Sequence, residues 1–500
     1  MTTEVATEYE VVIGLEVHVQ LKTESKMFCG CSAAYFDTEP NTHVCPVCMG
    51  MPGMLPVINR RAVEGTILAG LALGCRIPDY AKFDRKNYPY PDLMKGYQIS
   101  QYDQPLCLDG GLDIEVDGEP RYVHLERIHL EEDTARLLHR DDGFGEGYSL
   151  LDVNRAGCPL AEIVSKPDMR SAAQAVAYLR KLRQVVRYIE VSDADMEKGS
   201  FRCDANVSLR PVGADYLGAK VEVKNMNSFR SVQRAIEFEI ERQAKILRAG
   251  GTIVQETRGY VDATGETASQ RSKEAAHDYR YFPEPDLPPL RVSAADVDAL
   301  RARLPELPDA RRLRFESEYG LAPADAHLLT ETRAEADAFE EAVGLAVSGV
   351  TEAAARTARA RAVAHWIMGD LARLRRSEAG GEREWSEIVV TPAHIAELAR
   401  LVEDGTITGT TAKEVLDLAF ASGAMPAAIV AERGLAQVRD TAEIDRVAAE
   451  VIAANEKPVA DYKGGKATAI QFLVGQVMRQ LRGRADANSA AEALRRLLDA

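Results

Sequence analysis

The segment Asp278-Tyr-Arg-Tyr-Phe-Pro-Glu-Pro-Asp-Leu-Pro-Pro-Leu290 divides the chain into two kinds of polypeptide. Its prolines lack an N–H donor and push the residues before them out of the helical region, so no helix runs through it. It reads as an extended exit from whatever precedes it. The first ~290 residues carry strand-like alternation and are rich in Gly, Tyr and Pro. Beyond the prolines the composition shifts to Ala, Leu, Arg and Glu, a helical mixture. A second break falls at Glu403-Asp-Gly-Thr-Ile-Thr-Gly409, where glycines interrupt the pattern. Five hundred residues are too many for one core, and several domains are expected.

Within the first region two helices are predicted. From Ser171, a cap candidate, Ala175, Leu179, Leu182, Val186 and Ile189 recur on one face. From Ser228, the residues Phe229, Val232, Ile236, Ile240 and Leu247 do the same, up to the stop at Gly250-Gly251. No apolar run approaches the roughly 18 residues of a membrane helix, so no membrane partner is expected. The polar, acidic N-terminus is unlike an export signal, and the cytoplasm is the expected location. The net charge of −16 runs against a general nucleic-acid binder, leaving RNA binding to a local basic patch.

Three strands carry the chemistry. In Val11–Leu21, alternation sets Glu16, His18 and Gln20 against Leu15, Val17, Val19 and Leu21. In Phe201–Arg210 the polar face holds Arg202, Asp204, Asn206, Ser208 and Arg210; in Lys220–Asn225 it holds Lys220, Glu222 and Lys224. Each alone could be an ordinary strand facing water. Together they mix carboxylates with cations and an imidazole, which suits Mg²⁺ and a polyphosphate. A further acidic cluster, His129-Leu-Glu-Glu-Asp133, is readable as strand or as helix start, so periodicity leaves open whether Glu131 or Glu132 points inward. No Walker-type loop is present; Lys463-Gly-Gly-Lys-Ala-Thr468 lacks the first glycine and the Ser or Thr after the lysine. The spacing of Cys29 and Cys31, then Cys45 and Cys48, predicts a structural Zn²⁺ site of four thiolates.

Leu151-Asp-Val-Asn-Arg-Ala-Gly-Cys-Pro-Leu-Ala-Glu-Ile-Val164 closely resembles the signature of the B subunit of aspartyl/glutamyl-tRNA(Asn/Gln) amidotransferase. The resemblance continues, in order, through Gly14–Val19, Lys82–Tyr88, Tyr97–Tyr102, Gly199–Val207, Val223–Phe229, Asp278–Pro285, Asp461–Lys466 and Phe472–Met478. It implies a multidomain protein: an α+β cradle with an antiparallel sheet over residues 1–292, an all-α domain over 293–405, and an all-α tail over 406–500. It also implies an ATP-dependent ligase component acting on mischarged Glu-tRNA(Gln) or Asp-tRNA(Asn), in a heterotrimer with an amidase partner and a small third polypeptide. The tRNA-borne carboxylate would be phosphorylated, and ammonia from the amidase would displace the phosphate. A non-catalytic tRNA-binding scaffold of the same fold, or a ligase acting on a free small carboxylate, are the competing readings.

By the family's pattern Glu16, His18, Glu132 and Glu222 match the Mg²⁺ positions, with Arg202, Asp204 and Lys224 as nearby phosphate or metal contacts. Lys86 and Glu132 fit a polar tunnel that relays ammonia. The tail carries Lys463, Lys466, Arg479, Arg482 and Arg484 between Lys457 and Arg484 with one acid, Asp461. Such a local basic stretch, beside the apolar helix face of Val474, Val477, Met478 and Leu481, is of the kind a phosphate backbone selects. The resemblance implies that Lys463, Lys466, Arg479 and Arg482 contact tRNA.

Overall fold

Alternation in the first half resolves into one long, mostly antiparallel sheet in the computed structural model, which describes residues 8–141, 147–272, 279–376, 381, 383–437, 441–464, 466, 468–481 and 484–499. The strands are β1 (Tyr9–Gln20), β2 (Tyr80–Ala81), β3 (Asp84–Asn87), β4 (Tyr97–Ser100), β5 (Cys107–Leu108), β6 (Gly111–Val116), β7 (Glu119–Glu132) and β8 (Arg136–Asp141). There follow β9 (Gly147–Asp152), β10 (Pro159–Ser165), β11 (Phe201–Pro211), β12 (Val221–Lys224), β13 (Glu256–Val261), β14 (Glu266–Ser272), β15 (Phe282–Pro283) and β16 (Leu290–Arg291). The main sheet has the order β14-β13-β12-β11-β1-β10-β7-β5, with β6 also on β7, and only the β12–β13 pair is parallel. A small sheet, β15-β3-β4, takes its edge strand from within the proline-rich segment, and β16, at that segment's end, pairs with β2.

One face of the main sheet is apolar. Leu15, Val17 and Val19 of β1, Ala161 and Ile163 of β10, and Cys203, Ala205 and Val207 of β11 are all buried. Against them pack helices α1 (Arg60–Ala72), α2 (Ala172–Tyr188) and α3 (Phe229–Arg248), within one continuous core. Each large aliphatic side chain so buried contributes about 1.5–3 kcal/mol. Both predicted helices begin where their caps stand: Ser171 Oγ accepts from Gln174 N–H at 3.2 Å, and Ser228 Oγ from Ser231 N–H at 3.0 Å. The core face of α2 is the expected one, with Ala175, Leu179, Leu182, Val186 and Ile189 buried.

The chain divides into two compact units, Met1–Leu307 and Pro308–Ala500. The second is helical throughout its described elements. It holds two separate hydrophobic clusters, one drawn from Phe315 to Val430 and one from Ile444 to Leu498. The glycine-bearing break stands between helices Pro392–Glu403 and Gly409–Ser422. No single helix among the described residues is long and apolar enough to cross a membrane.

Candidate active site

Strand pairing fixes which polar side chains meet on the face opposite the helices. His18 on β1 stands across from Glu162 on β10 and Arg202 on β11, and Glu162 across from His129 on β7. Two residues back along β1, Glu16 faces Asp204, and Asn206 faces Glu222 on β12. Side-chain alternation then brings all of them to one surface.

Two acid clusters result. In the first, His18, Glu131 and Glu162 offer ligand atoms all within 4.8 Å of one another. His18 Nε2 lies 3.3 Å from Glu162 and 3.8 Å from Glu131; His129 Nε2 lies 3.3 Å and 3.7 Å from the same pair. Ser100 Oγ donates to Glu131 at 3.1 Å. In the second, Glu16, Asp204 and Glu222 gather within the same limit. Asn206 Nδ2 donates to Glu16 at 2.9 Å, and Thr257 Oγ1 to Glu222 at 2.8 Å. Lys224 Nζ lies 2.5 Å from Asp204 and 3.4 Å from Glu222. Arg202 pairs with buried Asp133 at 2.9 Å.

The charges answer one another. Burial would lower the pKa of His129, yet Glu162 and Glu131 outweigh it and push the value up to about 9, so the imidazole is protonated at neutral pH. Burial opposes the charge on His18 as well, and the same acids again raise it. For Glu162, burial works against the carboxylate, but His129 and His18 overcome that cost and hold it well below the ordinary range. Burial also opposes the charge on Lys86, but Glu131 and Glu162 raise its pKa; Asp204 and Glu222 do the same for Lys224. Among the described residues, Gln20 Nε2, Arg202 Nε and Asn206 Oδ1 are buried on this face without a hydrogen-bond partner. Two hard-oxygen clusters, cations beside them and three polar atoms left over suit a divalent ion and a bound anion.

The expected residues are thus partly regrouped. Glu16 and Glu222 converge, with Asp204 and Lys224, while His18 belongs to the neighbouring cluster. Glu132 is not with them. β7 is a strand through Glu132, so Glu131 shares the parity of His129, and Glu132 turns to the other side. There it takes Lys95 Nζ at 2.6 Å and the Ile99 N–H at 3.0 Å. Lys86 lies on the Glu131 side, its Nζ 5.1 Å from the Tyr279 ring centroid. Sequence reasoning singles out neither Glu162 nor Lys95, and it names His129 only as the start of the acidic cluster His129–Asp133. Glu162 carries a signal, being a lone carboxylate in the apolar run Pro159-Leu-Ala-Glu-Ile-Val164. His129 carries one too, two residues from Glu131.

On the Glu132 side lies a cavity of about 140 Å³, lined by Cys29, Cys48, Met51, Lys95, Tyr97 and Glu132 among others. Cys29, Cys31, Cys45 and Cys48 bring their sulfurs within 4.8 Å of one another, a set compatible with a metal ion. The Cys45 N–H points at Cys48 Sγ at 3.1 Å. The pKa of the Cys48 thiol is lowered, by the Cys29 thiol first and against burial, with a contribution from buried Lys26. In the second unit Lys463 ends helix Glu456–Lys463, and exposed Arg479 lies near the end of helix Ala469–Gln480. Exposed Lys466 lies in the connection between them. Arg482 lies outside the described residues.

Comparison with known proteins gives one consistent answer. Residues 11–298 match the GatB/GatE catalytic domain family, and residues 349–498 match the GatB domain family. The chain is 54% identical over 495 residues to the B subunit of aspartyl/glutamyl-tRNA(Asn/Gln) amidotransferase from Dehalococcoides mccartyi (strain CBDB1), covering 99% of each protein. It is 56% identical over 492 residues to the protein of that name from Thermomicrobium roseum, and 51% over 488 residues to that from Carboxydothermus hydrogenoformans, covering 98% of each protein in both cases.

Proposed function

The chain belongs to the family of B subunits of aspartyl/glutamyl-tRNA(Asn/Gln) amidotransferase, and from that membership we propose that its polar sheet face is where the tRNA-borne carboxylate is activated. It is a component of a multi-subunit, ATP-using ligase that amidates Glu or Asp already esterified to tRNA. The partners are an amidase, which releases ammonia from glutamine, and a small third polypeptide.

A carboxylate is a poor acyl donor because its oxygen leaves badly. Its oxygen therefore attacks the γ-phosphorus of ATP, the bond to the bridging oxygen breaks, and ADP departs. Ammonia then adds to the acyl carbon, phosphate leaves with the bonding pair, and the nitrogen gives up one proton, which the departing phosphate takes to become hydrogen phosphate. Arg202 and Lys224 lie where they can hold the phosphate oxygens. Glu16, Asp204 and Glu222 on one side, and His18, Glu131 and Glu162 on the other, have the donor chemistry to hold Mg²⁺. When bound, that ion supplies charge neutralisation of the phosphates. Glu131 takes this role in place of Glu132, since the two point to opposite sides of β7. Glu132 and Lys95, lining the cavity, and Lys86, on the far side of the same strand, are the polar groups available to pass ammonia across β7. Cys29, Cys31, Cys45 and Cys48 have the donor chemistry to hold Zn²⁺, which would pin the loop that walls the cavity. The carboxylate face lies in the first unit, and the basic end of the tail meets tRNA.

The observation that carries this reading is the convergence of two acid clusters with Arg202 and Lys224 on one face of adjoining strands, with Lys86 of the small sheet beside the Glu131–Glu162 cluster. The complex, assembled with its partners, is assayed for amide formation on Glu-tRNA(Gln) and Asp-tRNA(Asn) separately. Glu16→Gln is expected to abolish ATP- and tRNA-dependent amide formation while glutamine hydrolysis on the partner survives. Undiminished amide formation would remove the sheet face from the mechanism.

A further inference from the structure

Next to Lys86 the structure carries an aromatic tier that the activation chemistry does not use. Tyr102 stacks on Tyr281 with centroids 4.3 Å apart and planes 11° from parallel. Tyr281 meets Tyr279 edge-on at 6.0 Å, and Tyr279 meets Tyr88 at 5.6 Å. Tyr279 and Tyr88 flank Lys86 Nζ at 5.1 and 5.8 Å. The tier therefore runs outward from the Glu131–Glu162 cluster: Ser100, two residues before Tyr102, donates to Glu131 at 3.1 Å, and Lys86 stands between those acids and the Tyr279 ring. Its outer end is open, with Tyr102 56% and Tyr279 38% exposed.

The rings are held in place. Arg280, between Tyr279 and Tyr281, has φ +43°, a left-handed backbone unfavourable for a non-glycine residue. Asn87 fixes it: its Nδ2 donates to Arg280 O at 2.8 Å, and its N–H to Tyr279 O at 2.8 Å. Arg85 grips Glu284 with two bonds of 2.8 Å just beyond. Strain of this kind persists where neighbours enforce it, and it gathers at ligand sites. Exposed, rigid rings at the edge of a polar catalytic face suit one class of ligand well, an unpaired nucleobase.

We infer that the Tyr102–Tyr281 stack is the seat of the 3′-terminal adenine of the aminoacyl-tRNA. This rests on the function proposed above. The amino acid is esterified to the terminal ribose, so a side-chain carboxylate delivered to the polar face beside Lys86 brings that base to the neighbouring surface. The end is single-stranded and arrives from solvent, where the tier opens. The adenine of ATP is the other source of the same chemistry. It is disfavoured because Lys224, the phosphate-binding cation on β12, is separated by β11, β1 and β10 from β7, which carries Glu131 at the inner end of the tier.

The test uses the assembled complex and a tRNA whose terminal adenosine is replaced by 2-aminopurine riboside. Stacking quenches its fluorescence on binding; Tyr102→Ala is expected to abolish the quench and Tyr102→Phe to retain it. With natural aminoacyl-tRNA, Tyr102→Ala raises KM for the tRNA on the order of tenfold and leaves KM for ATP unchanged. A rise in KM for ATP alone assigns the rings to the nucleotide and overturns the inference. Unaltered quenching and unaltered KM values reduce the rings to packing and overturn it too. If instead the wild-type complex forms no amide on any mischarged tRNA, the functional reading fails, while the quench still reports on the base.

Discussion

At the scale of single residues, the decisive pair is Glu131 and Glu132. Adjacent in sequence, they serve opposite sides of β7, one beside His18 and the other against Lys95 in the cavity. Their isosteric variants should therefore fail differently. Glu131→Gln is expected to lower amide formation on the order of 100-fold or more with either glutamine or free ammonium as nitrogen source, since activation itself is lost. Glu132→Gln should impair the glutamine-driven reaction while ammonium restores it. Equal losses in both assays for Glu132→Gln would place it in activation after all. Asp133 permits a stability test beside them. Burial raises its pKa, but Arg202 and Arg155 outweigh burial and hold it below the ordinary carboxylate range. A depressed carboxylate stabilises the fold above its unfolded pKa, and that stability drains away as pH falls through the folded value. Asp133→Asn leaves Arg202 short of its partner and should cost about 3 kcal/mol near neutrality. In urea titrations the gap from the unsubstituted protein should begin to narrow near about pH 4 and go on closing as pH falls through the depressed folded value.

Among the elements, what could be read from the sequence was whatever had a period or a punctuation mark. The α2 and α3 faces and their serine caps stand where alternation and capping put them, whereas the glycine-bearing break before Gly409 separates two helices that share one hydrophobic cluster. The polar sides of β1, β11 and β12 are legible because strand parity is local. Which polar side meets which is not, because pairing joins residues such as Glu16 and Asp204 that lie far apart in the chain. Sheet order thus decides that His18 keeps company with Glu162, and Glu16 with Asp204 and Glu222. Glu131 and Glu132 can be told apart only once β7 is known to run as strand through both. The cysteine loop is the most legible element, since two close thiol pairs have few other uses in such a spacing. Elemental analysis is expected to give about one zinc per chain. Cys48→Ser should lower that content and expose the segment bearing Met51, Met54 and Leu55 to proteolysis, since these side chains are largely exposed and anchor it weakly. Folded, protease-resistant protein without metal would refute the assignment.

For the whole molecule the question is how a chain of net charge −16 engages a polyanion. Distributed acidity repels tRNA from most of the surface, so attraction must be local, and this itself limits unproductive association. Lys463, Lys466 and Arg479 are exposed along consecutive elements of the tail, with Lys466 4.0 Å from the single nearby acid, Asp461. Ion pairing at that distance on an exposed surface is weak, and a phosphate displaces it readily. If these residues meet the tRNA backbone, each releases about one counterion on binding. Replacing all three with alanine should then weaken tRNA binding by the complex, and flatten the plot of log affinity against log salt by roughly two to three units of slope. Ammonium-driven amide formation at saturating tRNA should be little changed, because the acid clusters proposed to activate the carboxylate belong to the other unit. A slope that stays as steep as that of the unsubstituted complex would mean that these charges only keep the tail in solution, and that the acceptor is captured elsewhere.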